Sequence, residues 1–166
     1  FDFDYLVEAG GETAIRPHEG MKVTLQGETY TWKYYDDTGK VYDLRRLFNP
    51  SEDVVVYAYA EIDVQEARKV KLALGSDDGF KLFLNGDMVF TVFTGRSLEF
   101  DENIIELNLN QGVNRLLLKV QNMTLDYAFA CRWIEMKDFK AFDFKKRNQN
   151  SVGFFVKLFS GFFRND

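Results

Sequence analysis

Apolar residues fall at every second position through much of the chain, the period of a strand with one face turned to a core. The pattern is clearest over residues 70–90. Val70, Leu72 and Leu74 form one run, Phe80, Leu82 and Leu84 a second, Met88 and Phe90 a third. Gly75-Ser76-Asp77-Asp78-Gly79 and Asn85-Gly86 separate them. Three strands and two turns follow, with Met88 and Phe90 on one face. The Asn-Gly pair is the strongest element, because both central residues of a type I′ hairpin turn need φ > 0 and these two residue types tolerate it.

The same alternation recurs on either side. Met21, Val23 and Leu25 mark a short edge-type strand, and residues 29–35 an aromatic strand ending in the turn Asp36-Asp37-Thr38-Gly39. Residues 42–48 suit a helical turn stopped at Asn49-Pro50, since the residue before proline is pushed out of the α region. Residues 53–62 are β-branched and aromatic without a breaker, as in a buried strand. Ile105, Leu107 and Leu109, then Leu116, Leu118 and Val120, then Tyr127, Phe129, Cys131 and Trp133 complete the series. About eight short antiparallel strands with hardly a helix before residue 137 define an all-β sandwich or barrel. After residue 150 the spacing changes: Phe154, Phe155, Leu158, Phe159, Phe162 and Phe163 recur with helical period behind Ser151, a capping residue. The expected organisation is a β-sandwich over 1–136 and a basic, Phe-rich extension over 137–166, with an amphipathic helix from 151.

Two stretches carry a family likeness. Gly75-Ser76-Asp77-Asp78-Gly79-Phe80-Lys81-Leu82-Phe83-Leu84-Asn85-Gly86, followed by Gly112-Val113-Asn114-Arg115-Leu116-Leu117-Leu118-Lys119-Val120, resembles the galactose-binding-domain-like jelly roll of bacterial carbohydrate-binding and accessory modules. The resemblance covers roughly residues 54–133. It implies a jelly-roll β-sandwich, a non-catalytic role beside other domains, carbohydrate as ligand and an extracellular or cell-envelope location. A more distant likeness, to the sugar-binding sandwich first described in protective antigen, implies a structural calcium at Asp77 and Asp78.

Composition narrows the choice of function. With 46% hydrophobic and 16% aromatic residues the chain can bury a core, which excludes a disordered segment. Its longest apolar run, residues 54–60, is too short to cross a bilayer, so no transmembrane segment is expected in what reads as a soluble domain. The net charge of −5 is uneven: residues 137–166 hold 7 Lys or Arg against 3 Asp, a balance of +4, which leaves −9 for residues 1–136. An acidic body does not suit nucleic acid, whose phosphates require clustered cations. Cys131 stands alone, so there is neither an internal disulfide nor a cysteine metal cluster. Residue 1 is Phe, with no signal peptide behind it, as in a mature form or a fragment.

Catalytic chemistry finds little support. His18, the sole histidine, sits in a Pro-Gly turn without a nucleophile motif, and there is no phosphate cradle and no zinc spacing, so a non-enzyme without a cofactor is expected. Sugar recognition combines flat aromatic faces with a few polar groups. Trp32, Tyr34 and Tyr35 beside Asp36 and Asp37 supply that chemistry, with Tyr127 and Asp126 a weaker set; for Trp32 and Tyr34 core filling is the stronger reading, because alternating aromatics more often pack than bind. For Asp77 and Asp78, turn chemistry competes with calcium, which wants six or more oxygens. The Phe-rich stripe must be covered, by this sandwich, a neighbouring domain or a second copy. A structural or assembly domain that contacts protein through the same sandwich is the competing function.

Overall fold

The computed structural model describes residues 1–25, 27–35, 41–46, 53–124, 126–134 and 154–160, the last segment and Tyr35 by backbone. Asp36, Asp37, Phe162 and Phe163 lie outside these residues. The strands are β1 (Lys22–Leu25), β2 (Glu28–Thr31), β3 (Lys33–Tyr35), β4 (Tyr42–Asp43), β5 (Val54–Val64), β6 (Arg68–Ser76), β7 (Phe80–Leu84), β8 (Asp87–Val92), β9 (Asn103–Leu109), β10 (Gly112–Asn122), β11 (Ala128–Ile134) and β12 (Phe154–Ser160). They form a six-stranded sheet in the order β3-β12-β5-β10-β7-β8, a four-stranded sheet in the order β4-β11-β6-β9, and the hairpin β1-β2. All pairings are antiparallel. The all-β, sandwich-like architecture expected from the alternation is therefore present. Among the described residues the helical content is two 3₁₀ turns, Val7–Ala9 and Leu44–Arg46, the second where residues 42–48 were expected to turn. No helix there is long and apolar enough to cross a membrane.

One core lies between the two large sheets. Val54, Val56, Ala58, Ala60, Ile62 and Val64 of β5 meet Val70, Leu72 and Leu74 of β6 and the inward residues of β7, β9 and β10. A second core covers the opposite face of the six-stranded sheet. Here Tyr5, Leu6, Ile15, Val23, Leu25 and Trp32 pack on Val55, Tyr57, Tyr59, Phe83 and Leu117. This second layer explains why β5 is buried at seven successive positions, and not at alternate ones. A strand covered on both faces reads as a continuous apolar run.

Three expectations are corrected. Residues 29–35 are not one strand: the chain divides at Trp32 into β2 and β3, and Trp32 drops into the second core. Met88 and Phe90 do not share a face. A bulge shifts the register between Leu82 and Phe83, so that Leu82 opposes Phe90 while Phe83 opposes Met88. The extra residue in a bulge reverses the side on which the next side chain emerges. The helix expected from 151 is, over Phe154–Ser160, the strand β12, paired with β5 on one side and β3 on the other. A strand as long as β5 would otherwise present a row of unpaired N–H and C=O groups, and the segment between Gly153 and Gly161 is a weak helix but a good strand.

Candidate functional site

Together the two quoted motifs organise both ends of the sandwich. At one end, Asn85 and Gly86 both have positive φ, 55° and 100°, as the type I′ turn between β7 and β8 demands. A Cβ on Gly86 would stand 2.3 Å from the carbonyl oxygen of Thr13, so the N-terminal layer also requires glycine. Asn114, fully buried, locks this turn to the next. Its Oδ1 accepts from Asn110 N at 2.9 Å and from Asn85 Nδ2 at 3.0 Å, and its Nδ2 donates to Asn110 O at 2.7 Å and Gly112 O at 3.0 Å. Arg115 N donates to Asn85 Oδ1 at 2.9 Å.

At the other end, Asp78 gathers three loops. Its backbone lies in the left-handed region at φ 56°, which Asp tolerates. One carboxylate oxygen accepts from Arg96 N at 3.3 Å, in the β8–β9 loop, and the other from Met123 N at 2.7 Å, in the β10–β11 loop. Ser76 Oγ donates to Asp78 O at 2.9 Å. Gly75 is required by the same crossing, since a Cβ there would stand 1.9 Å from Glu99 O. Phe93, 62% exposed, opens the β8–β9 loop and packs beside Gly79.

Asp77 differs from its neighbour. It is 7% exposed and its backbone N–H donates to Ala128 O at 2.9 Å, yet its carboxyl makes no hydrogen bond among the described residues. Burial, then the adjacent Asp78 and Asp126, push its pKa up to about 6, against a smaller opposing pull from Arg45. Arg45 pairs with Asp126 and, at 3.3 Å, with Asp43, forming an exposed charged rim nearby. Arg96 is bridged to Glu102 at 2.8 Å through one guanidinium nitrogen, leaving buried Nε and Nη2 without hydrogen-bond partners among the described residues.

The two aspartates do not fit calcium. Both oxygens of Asp78 already serve backbone donors, and among the described residues no group of three or more His, Cys, Asp or Glu is placed to hold a metal ion.

The aromatic residues expected to bind sugar are not brought together. Trp32 has no exposed surface and therefore no face to offer a ligand. Tyr34 is 40% exposed on β3, and its backbone N–H is held by Glu19. Tyr127 is buried between the sheets, its hydroxyl donating to Val120 O at 3.1 Å; burial pushes its pKa far up. Only the backbone around Tyr127 meets the Asp77 end, where Leu44 N donates to Tyr127 O at 2.8 Å. Of the tail, Phe154, Phe155, Leu158 and Phe159 lie on β12, within the sheet. A void of about 20 Å³ between the sheets, lined by apolar residues including Leu82, Phe129, Cys131 and Trp133, is far too small for a sugar.

Sequence reasoning missed Arg96, Phe93 and Arg45, the partner of Asp126, because loop residues distant in the chain carry no periodic signal. It also missed Glu12 and Lys119, discussed below, although a lysine inside Leu116-Leu117-Leu118-Lys119-Val120 was a visible anomaly. No family model, no curated protein and no solved structure matches the chain.

Proposed function

We propose that this chain is a non-catalytic recognition module, a jelly-roll β-sandwich of the galactose-binding-like type belonging to an extracellular or cell-envelope bacterial protein, and that it takes carbohydrate at the loop end around Asp77. The observation that carries this reading is Asp77 itself, a largely buried residue whose carboxyl oxygens reach the surface without a hydrogen-bond partner among the described residues, at the meeting point of three loops. An acceptor open to the surface at a loop end can receive the hydroxyl donors of a ligand. Phe93, 62% exposed although its ring lies 5.2 Å from that of Phe1, supplies aromatic surface beside Gly79 for the C–H face of a sugar ring, and Arg45 and Asp126 supply a polar rim.

Glycan-array screening followed by calorimetric titration tests the proposal. The wild type should bind at least one glycan, and Asp77→Ala and Phe93→Ala should each abolish binding while retaining a β-type circular dichroism spectrum. A wild type that ignores every glycan, or variants that bind as well as it does, would overturn the reading.

Exposed Met88, Phe100 and Ile104, on or beside the edge strands β8 and β9, favour a second reading, in which the sandwich assembles with a neighbouring domain or a second copy. Sedimentation over a range of concentrations decides it: self-association lost in Ile104→Glu supports assembly, and a monomer throughout opposes it.

A further inference from the structure

The second core encloses a charge pair that neither loop end uses. Lys119, on the outer face of β10, is fully buried, and its Nζ lies 2.7 Å from Glu12 Oε1 and 2.6 Å from Phe3 O. Tyr57 donates its hydroxyl to the same Glu12 oxygen. The rings of Tyr5 and Tyr57 stand 5.1 and 5.6 Å from the ammonium. The Asp4 carboxylate accepts from Leu6 N at 2.8 Å and from Glu12 N at 2.9 Å, which fixes the backbone that carries Glu12. A reactive amine and a carboxyl are thus held in contact, in an aromatic enclosure, by elements that are themselves tied down.

Enclosure matters to the chemistry. Taking both charges out of water is costly, and a low-dielectric site favours transfer of a proton from the ammonium to the carboxylate. Burial holds the Lys119 amine below its ordinary value, and Glu12 opposes that shift. Contact distance removes the entropy of bringing the two groups together.

We propose that Lys119 and Glu12 condense to an intramolecular amide that fastens the N-terminal layer to β10. The Nζ–Cδ bond forms and one Cδ–Oε bond breaks. Nζ gives up two protons, which leave with that oxygen as water. The ion pair contains every atom required, so neither an oxidant nor a co-reactant enters. Tyr57, as a hydroxyl donor on Oε1, is placed to assist the departing oxygen. The product is neutral, so the cost of burying two charges disappears. The proposal does not depend on the ligand reading.

Intact mass spectrometry of the denatured full chain tests it. The wild type should weigh less than its sequence by one water. A tryptic digest should yield one branched peptide joining the segments around Glu12 and Lys119, with no cleavage after Lys119. Glu12→Ala and Lys119→Arg should each carry their full sequence mass, a measurement that does not require the variants to fold. A wild type at full sequence mass with Lys119 open to trypsin would leave only an ion pair and overturn the proposal, as would a one-water deficit that persists in Glu12→Ala.

Discussion

The two loop ends of this sandwich are closed with different chemistry. At one end Asn114 and Asn85 bridge neighbouring connections through amides; at the other, Asp78 does so through a carboxylate. An amide carries both donors and acceptors, so one buried Asn can answer an N–H and a C=O together. Asn114 makes four such bonds and leaves nothing over. An ionised carboxylate only accepts. Asp78 is satisfied because two loops bring it backbone N–H groups, while Asp77 beside it receives none and is opposed by Asp78 and Asp126. The amide end is a finished joint. The carboxylate end retains unspent hydrogen-bonding capacity, which is why the proposed recognition site lies there.

Substitutions at the two ends should separate these roles. The largest effect is expected at Gly86→Val, which places a β-branched residue at φ 100° and a Cβ against Thr13 O. Backbone strain and overpacking together should cost about 4 kcal/mol, read as a lowered urea midpoint. A midpoint within error of the wild type would mean that the N-terminal layer does not sit on this turn.

Asn114→Ala should follow at about 3 kcal/mol, since it removes four hydrogen bonds that tie two turns together. Chemical denaturation measures this directly. Comparison with Asp78→Ala sharpens the contrast: that change should cost about 2 kcal/mol, because its side chain makes two hydrogen bonds where Asn114 makes four. Amide hydrogen exchange at Arg96 and Met123 should accelerate in Asp78→Ala and remain unchanged in Asn114→Ala. If both variants loosened both ends alike, the distinction between the ends would fail.

The smallest effect has the opposite sign. The Asp77 carboxyl holds its proton up to about pH 6 in the folded chain, whereas in the unfolded chain it releases it near the ordinary value of about 3.9. Between those values the folded state binds more protons, so this residue's contribution is full below about pH 4 and is lost as pH rises through 6. Asp77→Asn should therefore stabilise the protein at pH 7 by about 1 kcal/mol, solvent screening holding the effect below the full linkage value, and the gain should vanish at pH 4. Melting temperatures at the two pH values check the sign. Destabilisation at pH 7 would show that the carboxylate has a partner.

Much of this architecture was legible in the alternation of residues. Phe80, Leu82 and Leu84 face the core as their period requires, Ile105, Leu107 and Leu109 do the same, and Asn85-Gly86 turns the chain. Part of the candidate site was legible as well, since Gly75, Asp77, Asp78 and Gly79 announce a demanding turn. Which partners that turn would find was not. Arg96, Met123 and Phe93 reach it from 15 to 45 residues beyond Asp78 along the chain, and no local pattern encodes such a meeting.

The sequence by itself determined the strands, the tight turns and the all-β class, because side-chain period, β-branching and positive φ act over a few residues. Only the tertiary structure decided which faces are covered. Leu117 and Lys119 look outward by alternation, yet the N-terminal layer buries them, and Trp32 fills that layer where its neighbours suggested a binding surface. Phe154–Ser160 joins β5 as a strand although its spacing also suits a helix, since an open strand edge supplies hydrogen bonds that an isolated helix on a surface does not need. Burial and edge pairing depend on segments that meet from across the chain, so they are properties of the assembled fold and not of any one stretch of it.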